Sequence, residues 1–160
     1  MTFFEDIVVG ESVVVGRHTF TAGGIKIFAR RFDPQRFHLD EEAAAQSHFG
    51  ALCASGWQTA IVWMRLMAEH RRSQAEAARA RGERPAQVGP ALGLRELQWL
   101  KPVYVGDTIE YRTEIVEARV SESRPGFGLL TVRATGTNQS GQTVISFLST
   151  AFVERRGEAA

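Results

Sequence analysis

The sequence predicts an α+β domain in which one antiparallel sheet curves around a long central helix. Three observations carry this. Residues 57–68 are apolar nearly all round at helical spacing, the pattern of a helix enclosed by a core. Residues 92–153 divide into four runs with strand character, two of them alternating apolar and polar. Turn signals at Pro125-Gly126 and Asn138–Gly141 separate runs closely enough for antiparallel neighbours.

Taken in order, Val13–Val15 and His18–Phe20 read as an early strand. Thr21 is placed to cap a short helix whose face is Ile25, Phe28, Ala29 and Phe32. Pro34 disfavours helix at Asp33, so the acid sits where the chain leaves that helix, with His38 on the extended piece after it. Asp40 opens a second short helix, and Phe49-Gly50 marks a turn. In the central helix Trp57, Ala60, Ile61, Met64 and Ala68 share a face, while Val62, Trp63 and Leu66 extend the apolar surface. Beyond His70 the chain becomes charged and alanine-rich, a solvated helical extension ending at Gly82. Leu92–Leu100 is the first strand of the second half, followed by alternating runs at Ile109–Ile115 and Leu130–Ala134. Val144–Val153 is apolar or small on both faces and suits an interior strand, and the tail from Arg155 is expected to fray. A sheet of this kind leaves an edge, so a dimer that extends it is expected. No repeat or linker divides residues 1–160, which read as one domain.

The 160-residue chain has 44% hydrophobic and 23% charged residues, an ordinary globular balance. Lys and Arg number 19 against 18 Asp and Glu, so a dedicated nucleic-acid binder is not expected. The single cysteine, Cys53, excludes an internal disulfide and fits a reducing compartment. The N-terminal residues lack a basic stretch, and no apolar run is long enough for a membrane span. These features predict a soluble cytoplasmic protein with no membrane partner.

The chemistry concentrates at Asp33, His38 and Ser55-Gly56. A carboxylate and an imidazole lie on one short segment, and Gly56 opens a helix whose free N–H groups can grip a carbonyl oxygen. An acid/base pair facing an oxyanion site is what water addition beside a thioester carbonyl requires. Each residue also has a plainer role: Asp33 as a turn former, His38 as a packed histidine, Gly56 as a tight helix entry, Ser55 as an N-cap. Cys53 has no partnered base beside it and reads as a small buried residue. The four histidines lack metal-ligand spacing, so a metal site is not expected.

The segments FARRFDPQRFHLDEEAA, FGALCASGW and LQWLKPVYVGDTIE resemble the MaoC-like dehydratase family, the (R)-specific enoyl-CoA hydratases or hydratase 2. The resemblance covers nearly the whole chain and implies a hotdog fold, usually dimeric and sometimes assembled further, as in a trimer of dimers. The family segment Ser-Gly-Asp-x-Asn-Pro-x-His falls on this chain with its aspartate at Asp33 and its histidine at His38. Its His-Gly-Met element falls on Ser55-Gly56-Trp57. The implied catalytic residues are thus Asp33, His38 and Gly56, with Ser55 and Trp57 as substrate-binding positions. The chain departs from the family at Gln35, Arg36, Ser55 and Met64. The implied activity is interconversion of a trans-2-enoyl thioester and an (R)-3-hydroxyacyl thioester, carried on coenzyme A or acyl carrier protein. The alternatives are a non-catalytic acyl-thioester-binding protein or subunit, and a thioesterase. A thioesterase often carries its carboxylate on the central helix, where Trp57–Ala68 has none. Arg30, Arg31, Arg36 and Lys101 read individually as surface charges.

Overall fold

The computed structural model describes residues 3–157. Strand β1 (Ser12–Thr19) leads through helix α1 (Ala22–Phe32) and two short helices, α2 (Arg36–Leu39) and α3 (Glu41–Ala45), to the long helix α4 (Gly56–Ala80). Four strands follow: β2 (Val88–Trp99), β3 (Thr108–Val120), β4 (Phe127–Thr137) and β5 (Thr143–Glu154). They form one antiparallel sheet in the order β1-β3-β4-β5-β2. The expected interior strand is β5, between β4 and β2. Among the described residues no helix is long and apolar enough to cross a membrane.

The sheet's inner face holds α4 along one stripe, Thr59, Val62, Trp63, Leu66 and Met67, spaced at i, i+3, i+4, i+7 and i+8. The partners include Ile109, Tyr111, Val132, Ala134, Ile145 and Phe147. Trp63 donates its indole N–H to Thr113 Oγ1 at 3.3 Å and stands edge-on to Phe147. Helix and sheet approach closely at Gly16. It has φ +153° beside a register shift in β1, and a Cβ there would lie 2.9 Å from Leu66.

Four local expectations are corrected. Trp57, Ile61 and Met64 are not core residues: they are 52%, 46% and 58% exposed. One sheet covers only one stripe of a helix, so an all-round apolar helix leaves part of that surface outside. His38 lies in α2 rather than on extended chain. Pro34 keeps only residues 33–35 out of helix, and the His38 amide then closes a turn on the Gln35 carbonyl at 2.9 Å. β2 begins at Val88, its start hidden by register shifts around Ala91 and Gly93. Arg155 and Arg156 do not fray: they pair with Glu5 and Asp6 of the N-terminal turn at 3.3 and 2.6 Å. The residues after 157 lie outside the described part.

Candidate active site

Three local structures converge at the N-terminus of α4. Thr21 caps α1 by accepting the Gly24 amide, and the helix stops at Asp33, whose backbone has left helical geometry before Pro34. Helix α2 then carries His38 inward, where it is 5% exposed. The third piece, residues 52–55, is tied to the stretch after β2 by a bridge between Cys53 and Tyr104 and by the Ala54 amide bonding Val103 O. Ser55 caps α4, its hydroxyl accepting the Trp57 amide at 3.2 Å.

His38 Nδ1 lies 2.8 Å from the Cys53 carbonyl oxygen. A carbonyl only accepts, so Nδ1 carries the hydrogen, and in the neutral form of the ring the lone pair is at Nε2. That nitrogen faces Asp33 Oδ2 at 3.5 Å. Phe37 packs edge-on against the imidazole with centroids 4.5 Å apart, and Phe49 stacks beyond it. The ring is therefore fixed in place as well as in tautomer.

Asp33 accepts the Gln35 side-chain amide at Oδ1, 2.8 Å away, and a side-chain hydrogen bond from Ser55. Burial pushes its carboxyl pKa up. The bonds from Gln35 and Ser55, with the charge that His38 carries when it is protonated, outweigh that effect and hold it below the usual range. Asp33 Oδ2 and His38 Nε2 are thus two proton acceptors facing each other. They are too far apart, and of the wrong kind, to bond directly; a small molecule donating two hydrogens satisfies both.

Gly56 is the first residue of α4, and among the described residues its amide has no protein acceptor. The Trp99 indole lies against it: a Cβ at Gly56 would stand 2.6 Å from that ring. Trp57 meets Trp99 edge-on at 5.2 Å. Together with Asp33, His38, Phe49, Ser55 and Lys101 these residues line one cleft of about 440 Å³.

All five residues singled out from sequence therefore meet at one cleft. The hydroxyl of Ser55 accepts the Trp57 amide at the helix cap and helps lower the Asp33 pKa. Sequence reasoning missed Gln35 as the support of Asp33, the Cys53 carbonyl as the group that sets the His38 tautomer, and Trp99 as the wall against Gly56. Gln35 was visible only as a departure from the family motif. A backbone carbonyl and a contact across 43 positions leave no local signal. Cys53 is 1% exposed, and burial raises its thiol to about 11, so it stays protonated.

Comparison with known proteins bears on the family and the fold. The MaoC-like domain model matches residues 8–138. The chain belongs to the MaoC-like domain family. It is 36% identical over 69 residues to a mesaconyl-CoA hydratase of Cereibacter sphaeroides, a match that covers 43% of this chain and 20% of that protein. The chain thus spans about a fifth of the hydratase. The uncharacterized YdeM of Bacillus subtilis is 30% identical over 112 residues, 70% of each chain. A solved MaoC-like dehydratase from Rhodospirillum rubrum superposes with a TM-score of 0.83 at 36% identity, covering 98% of this chain and 99% of that one. A Mycobacterium tuberculosis protein described as a double hotdog superposes at 0.71 with 19% identity, covering 99% of this chain and 46% of that one. The fold is the hotdog fold expected from the resemblance.

Proposed function

We propose that residues 1–160 act as one MaoC-like hotdog domain, a cofactor-independent hydratase that interconverts trans-2-enoyl and (R)-3-hydroxyacyl thioesters. The observation that carries this is the facing pair, Asp33 Oδ2 and His38 Nε2, 3.5 Å apart on the wall that also holds the free Gly56 amide. One water donates a hydrogen to each acceptor. As its oxygen bonds to C3 of the enoyl group, one O–H bond breaks and the proton passes to the pair. The C2=C3 π electrons move toward the thioester, and the charge on its oxygen is held by Gly56 N–H. A proton then reaches C2 from the same pair, completing the addition; dehydration runs the steps backward.

Gln35 and Ser55 differ from the family pattern, yet both bond Asp33 and favour its ionised form. This supports catalysis over a decayed binding site. A thioesterase is less well supported, because α4 presents no carboxylate before Glu69. The acyl group rides on coenzyme A or acyl carrier protein in the cytoplasm, with Trp57 against the thioester arm. The exposed Trp57, Ile61 and Met64, with the edge strand β2, support a homodimer that extends the sheet.

The test is loss of enoyl absorbance with trans-2-enoyl-CoAs of graded length and branching. Turnover without thiol release is expected. Saturable binding without turnover would reduce the protein to a binding role, and release of free thiol would make it a thioesterase.

A further inference from the structure

Helix α4 carries two ion pairs of the i,i+4 kind, Arg65–Glu69 and Arg72–Glu76. Arg71 has Ala75 at that spacing and is left without one. It is half-buried, burial lowers its pKa, and among the described residues it forms no ion pair. A desolvated guanidinium with no counter-charge is unfavourable on its own and is relieved by a planar anion that accepts its forked N–H groups.

Arg71 borders a cavity of about 390 Å³ between α4 and the inner faces of β1, β3 and β4. This is within the roughly 300–1,000 Å³ of small-molecule sites. Its walls are mainly apolar: Ile7, Val13, Met67, Ile115, Leu130 and Val132. His70 stands beside Arg71 at the rim, and Glu11, which pairs with no cation among the described residues, lies there too. The cavity shares no lining residue with the acid/base cleft. Trp63, held by Thr113 and Phe147, lies on α4 between the two, and Arg71 is roughly 20 Å along the helix from Gly56.

We propose that this cavity is a second binding site, for a single-chain aliphatic carboxylate whose chain fills the apolar pocket and whose carboxylate pairs with Arg71. Charge selects the ligand: Arg71 suits a single carboxylate, and Glu11 on the same lining repels a second negative group, so a dianionic head is a poorer fit. The site stands independently of the hydratase reading, because neither Asp33 nor His38 takes part.

The experiment is calorimetric titration of the whole chain with dodecanoate below its micelle concentration, beside dodecanol as the uncharged match. Dodecanoate is expected to bind saturably and more tightly than dodecanol. Arg71→Met, which keeps the apolar stem, is expected to weaken dodecanoate at least about tenfold while leaving dodecanol within a few-fold. Ile115→Trp, at a partly buried wall position, is expected to weaken both. Thermal melts and enoyl-CoA turnover serve as checks that each variant is folded. No saturable binding to the wild type overturns the proposal. So does equal binding of acid and alcohol, or dodecanoate binding that survives both substitutions in folded protein.

Discussion

At the residue scale, the proposed hydration depends on an ionised Asp33 and an unprotonated Nε2 of His38. Asp33→Asn replaces one acceptor oxygen's charge with an amide, and His38→Ala removes the other acceptor altogether. Each is expected to lower enoyl-CoA hydration by at least about 10²-fold, read as kcat/KM beside a wild-type control. The supports of Asp33 make a separate prediction. Gln35→Leu and Ser55→Ala each remove a donor that favours the carboxylate, so each raises the Asp33 pKa from its lowered position. Carbon-13 NMR of the labelled carboxyl is expected to titrate at higher pH in both variants than in wild type; an unchanged midpoint would sink this account. Asp33, His38 and Gly56 were legible because their spacing matches a known motif. Gln35 was not, because a motif records identity, and the longer Gln side chain reaches the same carboxylate by its own route at 2.8 Å.

At the element scale, the strands were legible and the orientation of α4 was not. The burial of β3 alternates over residues 108–113 and that of β4 over residues 132–137, where one face of each meets the core. Helix α4 is apolar on several sides over 57–68, so periodicity alone names no inward face. The sheet selects Val62, Trp63 and Leu66, which pack on residues more than 40 positions away. The same long-range logic governs Gly56. Its backbone is ordinary; what requires glycine is the Trp99 ring of β2, 2.6 Å from where a Cβ would stand. Gly56→Ala is therefore expected to displace either the indole or the start of α4, and with it the amide aimed at the cleft. Turnover is expected to fall about 10-fold or more, with partial recovery in the Gly56→Ala, Trp99→Ala double variant. Failure of the second substitution to restore any activity would argue that the ring is not the obstacle. Thr113→Val probes a separate contact between α4 and the sheet. It leaves the buried Trp63 N–H without its acceptor and is expected to cost about 1–3 kcal/mol in denaturant unfolding.

At the scale of the whole molecule, the sheet ends at β1 on one side and β2 on the other, and the two edges differ. β2 places Leu92, Leu94 and Trp99 in solvent at 57%, 38% and 46% exposure, while α4 contributes Trp57, Ile61 and Met64. Large apolar residues on an unpaired edge favour association, unless bulges and charges blunt it. β2 is bulged between Arg95 and Gln98, and Glu96 takes φ +53°, so continuous strand pairing along its full length is unfavourable. A second copy therefore gains more from burying the helix face together with part of β2 than from the strand edge alone. Ile61→Asp places a charge in the middle of that face without touching the core stripe or the acid/base pair. It is expected to convert a dimer to a monomer by light scattering, with the circular dichroism spectrum retained. Leu92→Lys, far along the edge from α4's first turns, is expected to weaken the dimer less. If both variants remain as tightly associated as wild type, the copies meet elsewhere. Trp57 then stays solvent-facing in the assembly, and the cleft beside it is completed by one chain.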